Sequence, residues 1–157
     1  MKNEDIESLI SELIESANGA IEPSEEQFRE LLSSDLEGPL HFVNFLAFKE
    51  AAEYPSDYAS ADDPISGIEA YDKYGAVAFA QILKRGGRIL NVNSLEQQLI
   101  GSSREWHRMV TVEYVNAAAF IEMIRDPEYQ EALVHRDAGL EATELFVSRP
   151  LIPEPIG

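Results

Sequence analysis

Nine consecutive residues, Leu40 to Phe48 (LHFVNFLAF), limit what this chain can fold into more than any other stretch. Their aromatic and β-branched content reads as a β-strand, and a strand turns alternate side chains to opposite faces. One face carries Leu40, Phe42, Asn44, Leu46 and Phe48; the other carries His41, Val43, Phe45 and Ala47. Both are mostly apolar. An antiparallel sheet with one wet face alternates cleanly, so this strand is expected to be covered on both sides. Trp106 to Val115 (WHRMVTVEYV) repeats the pattern.

The segments around these strands set their order. Ser66 and Glu69 form a capping box that opens a helix carrying Ile68, Tyr71, Gly75, Ala78, Phe79 and Ile82 at helical spacing. Lys84 and Arg85 suit the negative end of its dipole, and Gly86-Gly87 ends it. Arg88 to Ile100 reads as a long, more polar strand, hence an edge. Asn116 caps a helix over Ala117 to Arg125, Asp126-Pro127 starts another, and Glu141 to Ser148 is the last strand. Residues 50–65 read as a loop, and Pro150, Pro153 and Pro155 make residues 150–157 an irregular tail. The order β-α-β-β-α-β predicts an α+β, ferredoxin-like fold with an antiparallel four-stranded sheet over residues 40–149. Its helices cover one sheet face only, so a second copy is the simplest cover for the other, and a homodimer is expected.

Residues 1–39 read as an acidic extension of two helices. Ile6, Leu9, Ile10, Leu13 and Ile14 make one apolar stripe, and Asn18-Gly19 is expected to stop that helix through the left-handed conformation. Ser24 and Gln27 cap a second helix bearing Phe28, Leu31 and Leu32, and Gly38-Pro39 closes the unit. Neither stripe can stand alone in water, so both are expected to pack on the main body. The segment holds eleven acids and two bases, about half of the chain's net charge of −17. A solvated helical face is the ordinary meaning of such charge, and a docking surface for a basic partner is the sharper one.

Composition excludes several classes. With 157 residues, 45% of them hydrophobic and 26% charged, one folded domain is expected and wholesale disorder is not. No apolar run approaches the roughly 20 residues of a membrane span, and Met1 to Asp5 is no basic leader. Without cysteine there is no disulfide, thiolate metal site or catalytic thiol. The acidity repels phosphate backbones and anionic lipid, so no nucleic-acid or membrane partner is expected. These features point to a soluble cytoplasmic protein.

Six pieces carry a family resemblance: AYDKYG (70–75), GGRIL (86–90), LIG (99–101), VEYVNAAAF (112–120), DPEYQ (126–130) and HR (135–136). In this order and spacing, with VNFLAFK (43–49) as the opening strand, the chain resembles the small, mostly bacterial family called domain of unknown function thirteen-thirty. The resemblance implies the dimeric α/β-barrel superfamily, which spans cofactor-free oxygenases, lactone isomerases, haem-handling enzymes and stress-response proteins. It covers residues 40–149 and implies nothing for 1–39. Where the family commonly has Pro-Ser, this chain has Val115-Asn116, and where the family's strand Trp is often followed by Asp, it has His107. If that Asp serves a ligand in relatives, this chain takes a different one.

The candidate chemistry lies in few residues. His41 and His107 sit near the starts of strands expected to be parallel neighbours, where they would lie side by side; satisfied or surface histidines are the plainer reading. Glu113, if buried unpaired, would serve as a general base, and paired it is structural. Arg136, next to His135, suits a carboxylate or enolate oxygen, or else a tie to Glu113 or a helix-terminal acid. Asn44 interrupts an apolar face and needs partners. Tyr71, Tyr74, Trp106 and Tyr129 read as core aromatics with polar tips. Asn44, His107, Glu113, Tyr129, His135 and Arg136 are therefore expected to line one pocket between helices and sheet. His107, Glu113 and His135 are its catalytic candidates, and Asn44, Tyr129 and Arg136 its binding candidates. No metal-ligand spacing or phosphate loop occurs, so no metal and no cofactor is expected. Three functions follow: a small-molecule-binding homodimer, a cofactor-free oxygenase or isomerase for a small aromatic or lactone-like compound, or a structural interaction module.

Overall fold

The computed structural model describes residues 3–34, 37–59, 64–101, 104–152 and 154–157; Pro153 and residues 60–63 of the expected loop lie outside them. The elements are α1 (Asn3–Ser16), α2 (Glu25–Ser33), β1 (Leu40–Phe48), α3 (Gly67–Lys84), β2 (Arg88–Ser94), β3 (Arg108–Tyr114), α4 (Ala117–Ile124), α5 (Pro127–Gly139) and β4 (Leu140–Ser148). One sheet of order β2-β3-β1-β4 is antiparallel at every junction. This is the ferredoxin-like α+β fold, with β1 and β3 central and β2 at an edge.

The antiparallel β1–β3 pair corrects the expectation of parallel neighbours. The crossover through α3 returns the chain so that β2 runs with β1, and the β2–β3 hairpin then reverses β3. His41 accordingly faces Glu113, at the opposite end of β3 from His107. The second strand is also shorter than its sequence suggested. It stops at Ser94, after which Leu95 donates to the His107 carbonyl at 3.0 Å and residues 96–101 and 104–106 carry no helix or strand. Leu99 and Ile100 of that stretch are exposed.

Local signals place the helices. Both capping boxes form: Ser24 with Gln27 opens α2, and Ser66 with Glu69 opens α3. Gly86, at φ +77°, supplies the left-handed residue just past α3. Asn116 caps α4, and Asp126 caps α5 with Pro127 behind it. The α1 stop is different from the one expected. Asn18 and Gly19 follow the end of α1 at Ser16, and neither residue has a positive φ. Gly19 is small for another reason, given below.

The core fills the space between the sheet and the helices. Leu40, Phe42 and Leu46 of β1 and Val110 and Val112 of β3 are buried there with Phe120, Met123 and Leu133. Tyr114 meets Phe42 and Phe120 edge to face, and Phe42 lies tilted on Phe120, with ring centres 4.7 to 5.4 Å apart. Ile6, Ile10 and Leu13 of α1 and Phe28 of α2 join the same cluster. The two N-terminal helices thus share that core, and they add no strand to the sheet. Among the described residues no helix covers the opposite sheet face. Val43 and Phe45 are half-buried there, and Phe146, which pairs with Val43, is 54% exposed.

Candidate functional site

The six residues expected in one pocket fall into five places. Asn44 and Tyr129 alone line a common cavity, about 60 Å³, between the central strands and the helices α3, α4 and α5. The alternation of β1 puts Asn44 on the helix-facing side, and its Nδ2 donates to the carbonyls of Phe42 and Val110 at 3.3 and 3.2 Å. Those bonds hold the amide plane. Tyr71, Tyr74, Tyr114 and Tyr129 turn aromatic faces toward the same space. The hydroxyls of Tyr74 and Tyr129 lie 3.0 Å apart. Burial pushes the phenols of Tyr71, Tyr74, Tyr114 and Tyr129 upward, so all four stay protonated near neutral pH.

Arg136 stands behind this cavity, with its guanidinium 5.9 Å from the Tyr74 ring centre. It does not pair with Glu113, which lies on the other sheet face. Its Nη2 donates to Glu22 Oε1 at 3.0 Å and its Nε to Asp137 Oδ1 at 3.1 Å, and the side chain is only 11% exposed. Glu22 comes from the irregular segment between α1 and α2, which no spacing rule connects to α5.

Glu113 lies on the other sheet face, in register with His41 on β1 and Arg88 on β2. Its carboxylate accepts from Arg88 Nε at 2.9 Å and lies 3.0 Å from His41 Nε2. The Arg88 hydrogen bond outweighs burial and, with His41, holds the carboxyl below the usual glutamate range. A general base needs the opposite shift. An open groove of about 380 Å³ between His41 and the tail residues Pro150, Ile152 and Ile156 adjoins this triad.

His107 serves the backbone. Its Nδ1 accepts from the Phe48 N–H at 2.9 Å and its ring stacks on Phe48, so the ring proton sits on Nε2. His135 turns away from the cavity toward the loop after β1. Tyr54 Oη is 2.7 Å from its Nδ1, Tyr58 Oη is 3.5 Å from its Nε2, and the two tyrosine rings stack on each other. Desolvation, with Lys73 adding to it, lowers the His135 pKa and favours the neutral ring. Among the described residues no group of three His, Asp or Glu is placed to hold a metal ion, and no helix is long and apolar enough to cross a membrane.

Two partners escaped the sequence reading. Arg88 was legible only through the strand register that sets it beside Glu113, and Glu22 carried no signal at all. Tyr74 was visible, one turn after Tyr71, but its hydroxyl pairing depends on how α3 meets α5.

Residues 46–149 match the family model described as Domain of unknown function (DUF1330). No curated protein matches the chain. The crystal structure of methylated RPA0582 protein is 35% identical, with a TM-score of 0.76 over 88% of this chain and 99% of that one. The structure of the RPA0582 protein of unknown function from Rhodopseudomonas palustris is 37% identical, with a TM-score of 0.75 over 86% and 99% of the two chains.

Proposed function

Because the chain belongs to the DUF1330 family, in which neither fold nor name supplies a reaction, we propose from its own geometry a homodimeric α/β barrel that binds a small organic molecule between sheet and helices. The observation that carries this reading is the cavity beside Asn44. It combines aromatic walls with a fixed amide and a pair of protonated phenols, the mixture of apolar surface and few polar groups that small-molecule sites use. At about 60 Å³ it is far below the several hundred Å³ of a drug-sized site, so its occupant is a small group or part of a larger molecule. Leu145, which also lines it, is half exposed.

Binding is favoured over catalysis by what lines the space. No histidine or carboxylate faces it among the described residues, so acid–base work near neutral pH has no base there. The dimer is supported by the opposite face, where Val43, Phe45 and Phe146 expose apolar surface around the charge-matched Arg88–Glu113 pair. A self-complementary patch of this kind suits a two-fold partner, with roughly 800 Å² buried on each copy. The dimeric α/β-barrel superfamily, the boundaries 1–39, 40–149 and 150–157, and a cytoplasmic location belong to the same proposal.

Thermal melting with phenol as a neutral aromatic probe tests the cavity. Phenol is expected to raise the midpoint of the wild type and to leave that of Asn44→Leu unmoved. An equal response of both proteins would refute binding beside Asn44.

A further inference from the structure

We propose that Arg136 is a carboxylate-binding site that the chain keeps occupied with its own Glu22. The inference deepens the reading above and rests on it, since the site adjoins the same tyrosines. The guanidinium offers a planar fork, nearly buried, beside the Tyr74–Tyr129 hydroxyl pair. Asp137, its sequence neighbour, takes Nε, while Nη2 depends on Glu22, 114 residues away. Without Glu22, that N–H would face two protonated phenols and no anion. A small carboxylate is the chemistry that would replace it, through charge-assisted hydrogen bonds.

Glu22 belongs to a strap built for such an exchange. Between α1 and α2 the chain crosses α5 without regular structure and is held mainly by side chains of α5. The Asn18 N–H donates to Gln130 Oε1 at 2.9 Å, and the Ala20 N–H donates to Asp137 Oδ2 at 2.6 Å. Ile21 adds a partly buried apolar contact. Asp137 therefore grips the strap with one oxygen and Arg136 with the other, which couples the two. Gly19 completes the closure: a Cβ there would collide with both the Glu22 carboxylate and the Arg136 guanidinium, so glycine lets the backbone lie over the pair without displacing them. Segments held by a few partly exposed hydrogen bonds open at low cost in free energy compared with the core. The strap runs directly into the Ser24 cap of α2, so its release would also loosen the seat of the N-terminal helices.

The experiment titrates wild type and Glu22→Gln with sodium propionate, using propionamide at matched ionic strength as the neutral counterpart. Removing the internal competitor is expected to tighten propionate roughly tenfold, the scale of one lost charge-assisted bond, and to leave propionamide unchanged. Saturating propionate should also speed amide hydrogen exchange at Asn18 and Ala20 of the wild type. Should Glu22→Gln fold poorly, Gly19→Ala, which keeps both charged groups but wedges them apart, is expected to give the same selective gain. Equal propionate affinity in wild type and variant, or an equal gain for propionamide, overturns the proposal. Phenol binding without the propionate gain overturns the Arg136 site alone; failure of both ligands overturns this site and the cavity reading together.

Discussion

Glu113 illustrates how a neighbour decides the meaning of a residue. Alone in an apolar strand it would be a raised, base-like carboxyl; between Arg88 and His41 it is a depressed, structural one. A group whose folded pKa lies below its unfolded value stabilises fully above the unfolded value, 4.5 here, and that contribution is lost as pH falls through the folded one. Glu113→Gln should therefore cost about 1 kcal/mol at pH 7 and lose less stability than the wild type on acidification. Urea unfolding of both proteins across the acid range checks it: parallel pH profiles would show that the triad contributes nothing. The histidines carry the same lesson. His107 and His135 are each engaged by groups, the Phe48 amide and Tyr54, that lie far from them in sequence.

At the level of elements, α3 and α5 come together through two glycines with ordinary backbone angles. A Cβ on Gly67 would strike the Lys49 and Gly139 carbonyls, and one on Gly139 would strike the Gly67 carbonyl and lie 2.9 Å from the Tyr71 nitrogen. These obstacles are backbone and cannot swing aside. Gly67→Ala or Gly139→Ala is expected to destabilise by about 3 kcal/mol, the upper range of overpacking, although alanine favours helix. Melting temperatures read this directly, and an unchanged midpoint would mean that the helices slide apart without loss. The N-terminal helices are proposed to form an added layer. Removing residues 1–39 uncovers the seat of Ile6, Ile10, Leu13 and Phe28 and frees Arg136 from Glu22. The shortened chain should melt at lower temperature yet still cooperatively, because every strand remains; a transition without cooperativity would place α1 and α2 inside the folding unit.

For the whole molecule, the proposed dimer rests on the bare sheet face. Light scattering at micromolar concentration should give twice the chain mass. Phe45→Glu, which puts a charge at the centre of that face, should give the monomer with its helix-side core intact. A wild-type protein that runs as a monomer would contradict the dimer. Self-repulsion between copies of charge −17 makes association stronger with added salt, so scattering at low and high ionic strength separates an apolar interface from one held by ion pairs.

Element types and order were legible in the sequence because they depend on short-range physics. Capping boxes at Ser24 and Ser66, the Pro127 start of α5 and the two-sided apolar run of β1 are complete within a few residues. The relative direction of β1 and β3 was misread as parallel, because it depends on how the β2–β3 hairpin reverses the chain, whereas family membership was readable from six short pieces. Site geometry was not legible, because a pocket is a property of which side chains meet across elements. Asn44 and Tyr129 share a cavity only because the folded chain brings β1 and α5 to the walls of one space, while Glu113 points away because strand alternation puts it on the opposite face. Glu22 reaches Arg136 across 114 residues through a strap with no periodic pattern at all. Hydrophobic spacing encodes which face of an element is buried; only the folded chain determines which polar groups are left beside one another.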